Sequence, residues 1–220
     1  ASKFQSDESL TLDHDLRSQF DGYANLETES KIIGVFGKDG SSELKEGEFG
    51  QIILDKTPFY AESGGQVGDQ GSFSSNESAF EVMDTQFSGD AFAHFGTVSS
   101  GQLRVGDKIL ASVNPVRRKS ITLNHTGTHM LHKALMMILG DHVQQRGSLV
   151  DDEKIRFDFS HHQSLSANEI REIESIVNEK IEENIDVQTS IMKHDDAIHS
   201  GAMALFGEKY GDDVRVLDVG

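Results

Sequence analysis

The sequence contains no cysteine and only 2 prolines. Without thiols the chain forms no disulfide and offers no thiolate to a metal, so any metal site must be built from histidine and carboxylate. Two prolines against 21 glycines point to many tight turns and few stiff linkers. No apolar run is long enough to cross a bilayer, and no positively charged start leads into an apolar stretch, so no membrane partner is expected. The chain begins at Ala1 and is expected to be an excised piece of a cytoplasmic protein. Positive charge is scarce too. A formal net charge of −17 argues against a large footprint on nucleic acid, whose binding normally relies on neutralising phosphates. Any RNA contact is expected to be small and local.

What is present is an ordinary globular composition, 36% hydrophobic and 26% charged over 220 residues, which leaves room for one large core or two modest ones. Residues 1–115 read as short β-type runs broken by glycine. Strands are expected at 32–36, 50–54, 80–83, 92–98 and 108–113, with turns such as 38–41 and 74–77 between them, and several short strands of this kind suggest a small barrel or sandwich. Asn114-Pro115 closes the region. From about residue 118 the period becomes helical: Leu131, Leu135 and Ile138 form a buried stripe that Gly140 ends, a helix of roughly twenty residues.

Strict alternation at 155–159, after the turn at 150–153, predicts a hairpin over 147–160. Ser166 to Glu169 has the pattern of a capping box opening a second helix, with Ile170, Ile173, Val177 and Ile181 as its apolar stripe. A strand is expected at 186–192, a helical or looped connection at 201–211 and a last strand at 214–219. The fold class expected is α+β: a glycine-rich β-barrel-like subdomain over 1–115, then an α+β subdomain over 116–220 with helices packed on an antiparallel sheet.

His125, His129 and His132 have spacings of four and three, which places them on one helix face. Two imidazoles one turn apart are able to bind one zinc ion. A metalloprotease would need glutamate directly after the first histidine, and Thr126 stands there, so that chemistry is excluded. His132 lies seven residues from His125, roughly 10 Å along a straight helix, too far for both to bind one ion.

Three stretches coincide in order: TPFYAESGGQVGD over 57–69, NHTGTHMLH over 124–132 and GAMALFGEKY over 201–210. Together they closely resemble the editing region of bacterial alanyl-tRNA synthetases, which is shared with free-standing alanyl-tRNA deacylases, and the similarity extends from about Phe20 to Gly220. The resemblance implies hydrolysis of the aminoacyl ester of Ser-tRNA(Ala) or Gly-tRNA(Ala), in a parent ligase that joins alanine to tRNA. ATP and magnesium would serve only the parent's aminoacylation domain, outside these residues. Such editing has a physical motive, because a pocket shaped for a methyl group rejects glycine or serine by only roughly 1 to 3 kcal/mol. The partners implied are the tRNA(Ala) acceptor end and the other domains of the synthetase.

In that family the metal is held by two helix histidines, matched by His125 and His129, plus a cysteine and a histidine from a later segment expected beyond Gly220. The fragment is therefore expected to carry half a zinc site, to hold zinc weakly or not at all, and to be inactive alone. No catalytic residue is assigned. Gly65 and Gln66 are expected to line the cleft, and Gln66, Thr126 and Thr128 to recognise the serine hydroxyl. A bound zinc would either polarise the ester and acidify a water or orient the terminal ribose, and both need neutral imidazoles, so activity should fall below about pH 6.5. Gly127 stands where the family usually has alanine. Arg117, Arg118 and Lys119 would either touch the tRNA backbone or form a solvated turn, and Arg156 with Asp158 would either border the same cleft or form a cross-strand ion pair. The competing reading is a non-enzymatic module that packs between synthetase domains or positions tRNA.

Overall fold

The computed structural model describes residues 16–38, 40–202 and 212–218. In chain order the elements are β1 (Gln19–Phe20), β2 (Glu27–Gly37), β3 (Glu43–Lys45), β4 (Phe49–Leu54), β5 (Lys56–Thr57), β6 (Gly71–Ser74), β7 (Ala79–Ser88), β8 (Ala91–Ser100), β9 (Gln102–Arg104), β10 (Lys108–Val113), α1 (Pro115–Leu139), β11 (Gln145–Val150), β12 (Ile155–Phe159), α2 (Ala167–Glu182), β13 (Gln188–Lys193), α3 (His194–His199) and β14 (Asp213–Asp218). The chain divides into two compact units, residues 1–63 with 67–119, and residues 64–66 with 120–220.

The first unit is a closed barrel in the order β10-β2-β4-β8-β7-β6, antiparallel throughout. β2 shows why the sequence folds this way: Glu27, Glu29 and Lys31 point to solvent while Thr28, Ser30 and Ile32 point inward, the period-two pattern of a half-buried strand. All five strands expected from the sequence are present. The closing strand, β6, is not among them, because Gly-Ser-Phe-Ser offers a single apolar residue. Phe73 is wholly buried, stacks on Phe80 at 5.5 Å and meets Phe59 edge-on at 5.6 Å.

One histidine belongs to this core. His94 is fully buried, and its Nδ1 donates to the Ile52 carbonyl at 2.9 Å. Its Nε2 therefore accepts from the Thr57 hydroxyl at 2.8 Å, and that hydroxyl accepts from the Phe59 amide at 3.1 Å. Both nitrogens of the neutral ring are thus satisfied, and burial pushes its pKa down to about 4 against the opposing pull of the Ile52 carbonyl.

Asn114-Pro115 starts α1 and does not merely end the barrel. The Asn114 side-chain oxygen accepts from the Val116 and Arg117 amides at 3.1 and 3.0 Å, and proline fits the first helical position. The helix thus has 25 residues, beginning before the expected residue 118. Arg117 to Lys119 lie in its first turn, which corrects the expectation of a solvated turn. Arg117 Nη1 donates to the Gly68 carbonyl at 2.8 Å. Arg118 clasps Asp69 through Nε and Nη2 and also donates to the Gly22 and Pro58 carbonyls, while the Asp69 carboxylate accepts from the Tyr60 amide at 2.7 Å. With Asp69 only 1% exposed, this is a buried ion pair within the barrel unit.

In the second unit α1, the β11–β12 hairpin and α2 share a core of Ala134, Leu135, Val143 and Ile173, with Leu131, Ile138, Phe157, Phe159 and Val177 packed against it. The Ser166 capping box is present, with Glu169 Oε2 accepting from the Ser166 amide at 2.7 Å. Of the stripe expected on α2, Ile173 is buried and Ile170 and Ile181 are exposed. The antiparallel sheet consists of two separate two-stranded ladders among the described residues, β11–β12 and β13–β14. Most of the connection expected over 201–211 lies outside the described residues.

These buried polar groups make stability depend on pH and on one ion pair. Because the folded-state pKa of His94 lies below its ordinary 6.5, the unfolded chain takes up a proton first as pH falls. Stability contributed by the neutral imidazole is whole above pH 6.5 and is lost progressively down to about pH 4, amounting to about 3 kcal/mol. Urea unfolding across that range should show this slope in the unsubstituted chain and not in His94→Gln. Arg118→Ala strands the buried Asp69 carboxylate and should cost about 3 to 5 kcal/mol in the same measurement.

Candidate functional site

One turn apart on α1, His125 and His129 stack their rings in parallel, with centroids 5.1 Å apart and planes within 7°. Thr126 and Thr128 lie on either flank of this face. His132 does not join the stack. It is buried, it lies 5.0 Å from the Phe157 ring, and neither ring nitrogen has a hydrogen bond among the described residues. Burial lowers its pKa, with the Val143 backbone opposing the shift.

The short turn of residues 64–66 belongs to the same unit as this helix face. Gly64 and Gly65 both have positive φ, 58° and 85°. A Cβ on Gly65 would stand 2.1 Å from Ser148 Oγ and 2.7 Å from the Ser148 carbonyl oxygen, so only glycine fits. The Gly65 carbonyl accepts from the Val150 amide at 2.7 Å, and Gln66 forms a parallel bridge with Val150. The turn thereby rides on the edge of β11.

This docking carries Gln66 to His125. Its Oε1 lies 2.6 Å from His125 Nδ1, and since a carbonyl oxygen only accepts, Nδ1 must carry the proton. Nε2 is left with its lone pair outward, the tautomer a metal or a substrate hydrogen requires. Burial lowers the pKa of His125 and favours this neutral form. Gln66 is itself buried.

The threonines are committed to the helix. Thr126 Oγ1 donates to the Thr122 carbonyl at 3.1 Å and Thr128 Oγ1 to the Asn124 carbonyl at 2.8 Å, so toward a ligand each hydroxyl acts as an acceptor. Thr128 is buried and Thr126 half-buried. Asn124, to which the sequence pattern assigns no role, donates from Nδ2 to the Asp151 carbonyl at 2.8 Å and ties the hairpin turn to α1. An Asn directly before His-x-x-x-His is the only sequence signal for it.

Arg156 and Asp158 pair along one strand, Nη2 to Oδ2 at 2.5 Å. Their partners across the hairpin are Leu149 and Gly147, which corrects the cross-strand expectation: residues i and i+2 share a face of a strand. Being exposed, this pair contributes little to stability. At Gly127 an added Cβ would meet nothing within 4 Å.

The profile of the family described as tRNA synthetases class II (A) matches residues 1–117, more than half of the chain. The chain belongs to this family. Among curated relatives, the alanine–tRNA ligase of Methylobacillus flagellatus is 52% identical over 204 residues, covering 91% of this chain and 23% of that protein. That of Legionella pneumophila is 50% identical over 221 residues, covering 100% and 26%, and that of Pseudomonas entomophila 47% identical over 222 residues, covering 100% and 25%. The chain thus spans about a quarter of the length of these relatives. No helix among the described residues is long and apolar enough to cross a membrane.

In this synthetase segment the two glycines of the site face opposite demands. Gly65→Ala should destabilise by about 2 kcal/mol or more, from left-handed backbone strain and the clash with Ser148. Gly127→Ala should stabilise by up to about 1 kcal/mol through helix propensity. Denaturant midpoints of the two variants would check both signs.

Proposed function

We propose that the helix face of His125 and His129 is the editing site of an alanine–tRNA ligase, which hydrolyses the ester of Ser-tRNA(Ala) or Gly-tRNA(Ala) in the cytoplasm. The observation that carries this reading is the Gln66–His125 hydrogen bond, because it joins two of the three sequence stretches shared with alanyl-tRNA synthetase editing regions and sets the imidazole's tautomer.

Two imidazoles one turn apart, one with its far nitrogen tied to an amide oxygen, suit zinc as a donor pair. Among the described residues no third histidine or carboxylate joins them in a metal-sized group; the remaining ligands on this reading come from the later segment that the family resemblance implies. When bound, the zinc supplies either Lewis acidity at the ester or orientation of the terminal ribose. The protein's own residues do the rest. Gln66 holds His125 at one tautomer, burial keeps it neutral, and the glycine turn lets backbone approach closely. Thr128 and Thr126 keep acceptor lone pairs that meet the hydroxyl hydrogen of a seryl group. An alanyl methyl leaves the same oxygens unpaired, and this asymmetry is what discriminates alanine from serine.

The acceptor end of tRNA(Ala) is the partner this reading requires, together with the remaining synthetase domains, since a net charge of −17 gives this segment little grip on phosphate. ATP and magnesium serve the aminoacylation reaction elsewhere in the parent.

The test is deacylation of Ser-tRNA(Ala) by a full-length synthetase carrying this segment. His125→Gln with His129→Gln should reduce Ser-tRNA(Ala) hydrolysis at least roughly 100-fold, the scale of losing an essential catalytic electrostatic group, and leave alanine charging intact. Gln66→Ala should give a smaller loss. Unchanged hydrolysis with impaired charging would overturn the editing site and favour the packing or tRNA-positioning module.

A further inference from the structure

Three other histidines converge at the opposite end of the hairpin from its turn. Gly140, at φ 108°, ends α1 and turns the chain into Asp141 and His142. The ladder of β11 and β12 then continues one step past its last paired strand residues: the Ser160 amide donates to the Gln144 carbonyl at 3.0 Å and the Gln144 amide to Ser160 Oγ at 3.1 Å. Ser160 Oγ also donates to the His142 carbonyl at 3.1 Å. This latch sets His142 against His161 and His162.

Their rings form a triangle, with centroids 5.2 Å apart for His142–His161, 4.4 Å for His142–His162 and 4.9 Å for His161–His162. His142 Nε2 and His161 Nδ1 are 2.9 Å apart. One nitrogen from each of the three residues lies within 4.8 Å of the other two. His161 Nε2 is buried without a hydrogen-bond partner among the described residues, a position that disfavours a polar atom.

We infer that His142, His161 and His162 form a binding site for a first-row transition dication such as Zn²⁺, separate from the His125–His129 pair. A zinc–nitrogen distance of 2.0–2.1 Å sets nitrogen-to-nitrogen edges of about 3.3 Å in a tetrahedron. The His142–His161 edge has to open by a few tenths of an ångström and the other edges to close from at most 4.8 Å, within the reach of side-chain rotation at exposed His142 and His162. Two facing nitrogens that now share one proton would each present a lone pair to the ion. The proton moves to the remote nitrogen of its own ring, so no net proton is lost. Three imidazoles with a fourth position open to water is the donor pattern of an accessible zinc site. The site is separate from the His125–His129 pair: its three residues follow α1 and β12 and lie outside all three shared stretches.

The probe is Zn²⁺ titrated into the 220-residue chain against a chromophoric chelator, with the imidazole nitrogen NMR shifts followed in parallel. In a His125→Gln/His129→Gln background one Zn²⁺ should still bind, moving the resonances of His142, His161 and His162. Adding His142→Gln and His162→Gln should weaken binding at least roughly tenfold, the minimum expected when ligands themselves are removed. Both positions are exposed, and circular dichroism should show the fold retained. Loss of all zinc binding in the first background would overturn the site, as would binding that is indifferent to His142→Gln/His162→Gln. Either result would leave the editing proposal to stand or fall on deacylation alone.

Discussion

The turn at Gly64 and Gly65 exists because neither residue has a Cβ. Its positive φ angles and its close approach to Ser148 allow the backbone to lie against β11, and only from there does the Gln66 side chain reach His125. A fifty-nine-residue separation in sequence is thus closed by a hydrogen bond of 2.6 Å. Two consequences come from that one contact: the ring tautomer is chosen, and a partly buried imidazole gains a partner that its neutral form satisfies. Without the glycines the same glutamine would sit in the same segment with no route to the helix.

Helix α1 is shaped by two demands along its length. Its first turn is anchored by Arg118 and Asp69 within the barrel unit, whereas from Leu131 to Ile138 its apolar side fills the core of the second unit. Between these lie the polar residues Asn124 to His129, for which core packing has little use. Threonines in this stretch return their hydroxyl hydrogens to the backbone one turn earlier, which satisfies them locally. A helix carrying Gly127 and two β-branched threonines at its centre is weak by propensity, so its stability rests on the contacts toward either end.

Periodicity made most of the fold legible. The long barrel strands, α1, the hairpin and α2 each have a run of apolar residues at spacing two or at three and four, and each is present. β6 escapes such a reading because one phenylalanine between serines has no period, yet closure of the barrel supplies it with partners on both sides. The helix start is misplaced by the sequence because Asn-Pro serves equally well to stop the strand before it and to cap the helix after it. The site is legible in part: helical geometry places His125 and His129, and family resemblance points to Gly65, Gln66, Thr126 and Thr128. Which atom of Gln66 meets which nitrogen depends on tertiary contacts that no local pattern encodes, whereas the threonine hydroxyls are committed one turn back along their own helix. His142 meets His161 and His162 only through the backbone latch at Ser160 and Gln144, so nothing in their spacing announces them.

The histidines show how environment and not residue type assigns chemistry. His94 is locked between a carbonyl and a hydroxyl inside the barrel, and its pKa near 4 makes it a structural acceptor that never charges near neutrality. His125 is partly buried too, but one nitrogen is held by Gln66 and the other is left available, which is the condition for a ligand and not for a core residue. His132, seven positions along the same helix, shares the face but neither the spacing for a common ion nor the surroundings: the Phe157 ring lies 5.0 Å from its own. The exposed His142 and His162 keep both freedom to rotate and lone pairs, with the partly buried His161 as their anchor. In both His125 and His161 the fold fixes one ring nitrogen, His125 Nδ1 against Gln66 Oε1 and His161 Nδ1 against His142 Nε2.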